Sequence, residues 1–72
     1  MRWKIIHNGY DIQWVNRESD IDNYIQSVLE SHSDLRPRKI MDRKIKAGDR
    51  QIRIVRYIYV TLYEEDFIIE PA

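Results

Sequence analysis

The fold class the sequence predicts is α+β: an antiparallel sheet with one helix packed on one face, in the order ββαβββ. Three observations lead there. The N-terminal stretch Trp3–Trp14 places Asn8-Gly9 between two alternating runs. A single later stretch repeats its apolar residues at helical spacing. From Lys39 onward the apolar period falls to two and stays there. Seventy-two residues make one domain, 1–72, which buries only roughly 60% of its extended surface and is marginal in size.

The hairpin, residues 2–15, comes first. Asn-Gly is the strongest short hairpin signal, because both residues of a type I′ turn need positive φ. If the two form the whole loop, His7 faces Tyr10, Ile5 faces Ile12 and Trp3 faces Trp14. All six side chains then share one face. The other face carries Arg2, Lys4, Ile6, Asp11, Gln13 and Val15 and is mostly polar. Burial of the aromatic ladder is the expected outcome, since a chain this short needs its large residues inside.

The helix is expected over 20–32. Ser19 is a candidate N-cap, and Asp20 and Asp22 suit the positive end of the helix dipole. Ile21, Tyr24, Ile25, Val28 and Leu29 fall on an arc of roughly 140° at about 100° per residue. Pro37 disfavours helix at Arg36 and closes the segment.

Three strands follow, at 39–46, 51–63 and 67–70. A Gly48-Asp49 loop sets Ile45 opposite Ile52, and a Glu65-Asp66 turn sets Leu62 opposite Ile69. The strand 51–63 would extend about 40 Å at ~3.3 Å per residue. It must therefore bend at a bulge or project as a ribbon, and a central place in the sheet would protect it. Its two faces differ. Ile52, Ile54, Ile58, Val60 and Leu62 share one with Arg56. Arg53, Val55, Tyr57, Tyr59, Thr61 and Tyr63 share the other. The expected core is Trp3, Ile5, Ile12, Trp14, Ile21, Tyr24, Ile25, Val28, Leu29, Ile52, Ile54, Ile58, Val60, Leu62, Phe67 and Ile69. One helix covers one face only, so the face with Tyr57, Tyr59 and Tyr63 is expected to be open to solvent, a partner or a second copy. Tyrosine also sits on open sheet faces with no ligand at all.

Charge is balanced overall at 12 basic and 12 acidic residues, yet sorted along the chain. Residues 36–56 carry nine basic side chains against Asp42 and Asp49, so this segment nets +7 and the remainder −7. Such a segment is either a basic binding surface or a basic hairpin neutralised by acidic neighbours in the fold.

The chemistry of the sequence is sparse. There is no phosphate-cradling glycine loop, no metal-ligand motif and no cysteine. The absent cysteines suit a reducing compartment, and no apolar run reaches the ~18 residues of a membrane span. The expectation is a soluble cytoplasmic protein without membrane contact, cofactor or metal. His7 reads as a packed hairpin residue. His32 in Ser31-His32-Ser33-Asp34 reads as a helix end, because catalytic triads are built across a fold and not from adjacent letters. A small nuclease using either histidine is the remote alternative.

Non-enzymatic binding is therefore the expected function. Arg36, Arg38, Arg43, Lys44, Lys46, Arg50 and Arg53 would hold a nucleic-acid backbone, with Tyr57, Tyr59 and Tyr63 offering stacking platforms. The alternative is a protein-interaction module, a small regulator or inhibitor, using the Tyr face or a sheet edge, with a homodimer through either surface as one form of it. A continuous basic face clear of carboxylates would favour the first reading, and a mixed apolar patch the second.

Overall fold

A computed structural model describes every residue from Met1 to Ala72. The elements are β1 (Trp3–His7), β2 (Asp11–Val15), α1 (Ser19–Glu30), a single 3-10 turn (Ser33–Leu35), β3 (Arg38–Ala47), β4 (Arg50–Ile58) and β5 (Glu64–Pro71). The strands form one antiparallel sheet in the order β2-β1-β5-β4-β3, so the α+β class and the ββαβββ order hold. No helix is long and apolar enough to cross a membrane.

The first hairpin departs from the expected register by one residue. Asn8 and Gly9 do take positive φ, 52° and 83°, and the Tyr10 N–H donates to the His7 carbonyl at 3.3 Å. Pairing then resumes one residue later, with His7 opposite Asp11, Ile6 opposite Ile12 and Lys4 opposite Trp14. Tyr10 becomes an extra, exposed loop residue. A slip of one residue turns every β2 side chain over. Trp14 and Ile12 thus leave the helix side and stand exposed, and the Trp3–Trp14 ladder does not form. The physical reason is the place of β2 at the sheet edge. Burial rewards little there, so the apolar pattern has weak hold on register. Asn8 is held by β5 instead, its N–H donating to the Asp66 carbonyl and its Oδ1 accepting from the Asp66 N–H, both at 2.9 Å.

Helix α1 begins one residue earlier than expected, with Ser19 inside it and Glu18 already in the α region without a side-chain cap. Its stripe is the expected one. Ile21, Ile25 and Leu29 are buried, with Tyr24 and Val28 packed beside them. The loop Gly48-Asp49 is also as expected, with Ile45 opposite Ile52 and Gly48 at φ 70°.

The long strand is shorter than expected. β4 ends at Ile58, and Tyr59–Tyr63 form a turn in which Leu62 adopts φ 69° and its N–H donates to the Tyr59 carbonyl at 2.8 Å. No turn forms at Glu65-Asp66, which lie inside β5. The pairing is Ile54 with Ile68 and Val55 with Phe67. The β3–β4 pairing shifts register between Lys39 and Met41. β4 lies between β5 and β3, off the edge.

The helix lies on the opposite side of β4 from the one expected. The core is Ile5, Ile21, Ile25, Leu29, Val55, Tyr57, Tyr59, Phe67 and Ile69. Ile52, Ile54 and Ile58 face away from it and are half-buried, while Val60 and Leu62 stand exposed in the turn. Period two identifies which residues share a face and carries no information on which face receives the helix.

Two truncations separate the two sides. Phe67→Ala opens a cavity under α1 and should cost about 3–5 kcal/mol. Trp14→Ala, on the open side, should cost less than about 1 kcal/mol within the single chain, at concentrations low enough that it is monomeric. Urea melts of both proteins measure this, and equal losses would mean that the helix does not cover Phe67 alone.

Candidate functional site

The side of the sheet away from α1 has no helix packed on it. Alternation places Ile6, Ile12, Ile45, Ile52, Ile54, Ile58 and Ile68 on it, so seven of the twelve isoleucines lie there and only four are in the core. Ile12, Ile6, Ile68 and Ile54 run side by side across four strands, each opposite the next. In the adjoining row Trp14 faces Lys4, and Lys4 faces Glu70. The Arg2 guanidinium sits 4.8 Å from the Trp14 ring centre and the Lys4 ammonium 5.9 Å. The other rim is polar. Arg56 Nε donates to Asp66 at 2.6 Å and lies 3.7 Å from Glu64. The apolar centre and charged rim make a mixed surface of the kind seen at protein interfaces.

The basic segment is partly neutralised. Arg53 reaches Asp42 at 2.9 and 3.0 Å and Asp22 of the helix at 3.2 Å, and Lys39 adds a contact to Asp42 at 3.1 Å. The Arg53 hydrogen bonds hold the Asp42 carboxyl well below the usual carboxylate range, and Lys39 adds to the effect. Asp42 in turn raises Arg53. Arg53, Asp42 and Asp22 line a polar cleft of about 380 Å³ between the start of α1 and the sheet, together with Trp3, Glu18 and Lys44. Arg50 donates to the Pro71 carbonyl. Arg36, Arg38, Arg43, Lys44 and Lys46 remain exposed with no carboxylate within 4 Å.

The expected tyrosine platform is not assembled with them. Tyr57 and Tyr59 are 8% and 2% exposed, beneath the helix side, and offer no ring face to a ligand. Tyr63 is half exposed, stacked on Tyr59 at 5.7 Å, with its hydroxyl accepting from Asn8 Nδ2 at 2.8 Å.

A polar group that the sequence left unmarked lies in the core. Glu65 is 2% exposed. One carboxylate oxygen accepts from the Tyr59 hydroxyl, and the other lies 2.6 Å from His7 Nε2. The His7 ring stacks on Phe67 at 4.9 Å and 6°. Burial, reinforced by Glu65, raises Tyr59 well above the ordinary phenol range. The sequence pattern places Glu65 in a Glu65-Asp66 turn, and its burial follows from β5 starting at Glu64, a shift that local pattern does not reveal. His7 is accordingly a packed, hydrogen-bonded residue. His32 packs edge-on against Tyr59 at 5.6 Å. No cluster of three or more His, Asp and Glu side chains is placed to hold a metal ion.

Compared with known proteins, the chain matches no family model, no curated protein and no solved structure.

Two variants test these polar groups. Tyr59→Phe removes a donor from a buried carboxylate and should cost about 1–3 kcal/mol in a denaturant melt. Unchanged stability would show that Glu65 does not depend on that hydroxyl. Asp42 is lowered in the folded state, so its contribution is complete above the unfolded carboxyl value, about 3.9, and is lost as pH falls through and below it. The melting temperature of Asp42→Asn should therefore fall less steeply than that of wild type between pH about 6 and about 2. Parallel profiles would sink the assignment.

Proposed function

We propose that this chain is a non-catalytic protein-interaction module that binds through the uncovered face of its sheet. The observation that carries the reading is the row Ile12–Ile6–Ile68–Ile54 with Trp14 beside it, left without cover by the only helix. Monomeric proteins rarely expose contiguous apolar surface beyond a few hundred Å², and larger patches mark interaction sites. A half-exposed tryptophan flanked by basic side chains adds an anchor of the type that dominates binding energy at interfaces. The surface invoked differs from the tyrosine face expected from sequence, and the reading takes the alternative given there, a protein-interaction module, ahead of nucleic-acid binding.

A photo-cross-linking amino acid in place of Ile54 tests this in cells that express the protein. It should form protein adducts, whereas the same group in place of Gln26, on the exposed side of α1, should form none. Absence of adducts at both positions would remove the reading.

Nucleic-acid binding remains a second reading on one observation, the five basic side chains Arg36, Arg38, Arg43, Lys44 and Lys46 without ion-pair partners. Fluorescence anisotropy with short DNA and RNA at two salt concentrations decides it. Binding through the hairpin would weaken steeply with salt. Lys44→Ala with Lys46→Ala would flatten the slope by about one unit per lost duplex contact. No binding at low salt would leave the face alone as the binding surface.

A further inference from the structure

We infer that the occupant of the open face is a second copy of this chain, packed sheet on sheet about a two-fold axis parallel to the strands and running between β1 and β5. The inference rests on the interaction reading above and names its partner. A two-fold interface must be self-complementary, with residue i meeting j and j meeting i. The face has that pattern. Rotation about this axis lays β1 over β5 and β2 over β4 of the other copy. Ile6 then meets Ile68, and Ile12 meets Ile54. In the adjoining row Trp14 meets Ile52, and Lys4 meets Glu70. Over the four overlapping strands every apolar position of these two rows falls on an apolar position, and the cation Lys4 falls on the anion Glu70.

The state of that ion pair within the single chain supports the arrangement. Lys4 and Glu70 are cross-strand partners, yet neither is in an ion pair within its own chain. The Lys4 ammonium lies toward Trp14 instead. By contrast Arg56 and Asp66, which would lie toward the rim, are already satisfied by each other. Arg43, the cation that ends the isoleucine row on β3, falls outside the overlap, because β3 has no counterpart beyond β2.

The area fits a small interface. The molecule measures 37 × 21 × 20 Å, so one whole sheet face projects about 700 Å², and the four overlapping strands, without β3, present less than that and less than the ~800 Å² that each partner contributes to an ordinary stable interface. Two sheets packed about 10 Å apart, with their strands within about 30°, are the usual way to cover such faces.

Charge reversal tests the pairing with purified full-length chain, by analytical ultracentrifugation across a concentration series. Wild type should sediment as a dimer. Lys4→Glu and Glu70→Lys should each weaken self-association roughly tenfold or more, because like charges then meet twice across the axis. Circular dichroism checks that both variants fold. Mixing the two variants should restore the dimer, since Glu at position 4 then faces Lys at 70 and the remaining Lys4 faces Glu70. Within each variant chain the two neighbours still carry like charge, so a merely intramolecular effect would not be rescued. A wild-type monomer at the highest soluble concentration, or a mixture that stays monomeric, overturns the inference. If the chain is monomeric while the Ile54 cross-linker captures a different protein, the second copy is excluded and the interaction reading stands. Monomer without adducts removes both.

Discussion

One twelve-residue helix has to shelter a five-stranded sheet, and it can shield only one side of it. The rest of the organisation follows from that shortage of cover. Ile21, Ile25 and Leu29 meet Ile5, Phe67, Ile69 and Val55 on the shielded side and complete the core. The other side keeps seven isoleucines and Trp14 with nothing above them. In a chain of this size, where stability is a small difference between large terms, leaving so much apolar surface wet forgoes a substantial share of the available burial. A partner on that face would recover it, which is why the apolar surface and the proposed function are the same feature.

Glu65 is tied to the choice of side. A buried carboxylate is tolerated only where donors satisfy it, and Tyr59 and His7 do so from two different parts of the chain. Turning β5 over by one residue would put Glu65 in water, bury Glu64 and Asp66, and separate the carboxylate from both donors. The polar group thus discriminates against the neighbouring register more sharply than the isoleucines do, because apolar side chains flank it on both faces of the sheet. Asn8 works in the same direction by clamping the first turn to Asp66.

The sorting of charge along the chain is partly offset by the sheet order. β4 lies between the basic β3 and the acidic β5, which brings Arg56 to Asp66 and Glu64. Helix α1 brings Asp22 to Arg53. What remains unpaired is a set of exposed cations around the β3–β4 hairpin and the Lys4–Glu70 neighbours on the open face. Exposed pairs of this kind add little to stability, so their interest lies in recognition and approach of partners.

Local signals determined much of this protein by themselves. The helical stripe from Ile21 to Leu29, the Gly48 loop with Ile45 opposite Ile52, the positive φ at Asn8 and Gly9, and the α+β order are all written in short-range pattern, because helix period and turn chemistry act over a few residues. That one sheet face would lie open was also legible, from the count of helices. Which face it would be was not. Val55 and Tyr57 alternate with Ile54 and Ile58, and both sets are apolar enough to be core. Only long-range pairing decided between them: β5 starting at Glu64, β1 laid against β5, and Tyr59 and His7 meeting at one buried carboxylate. The edge position of β2 decided the fate of Trp14 for the same reason, since an edge strand that packs only Val15 against the core has little burial to hold its register.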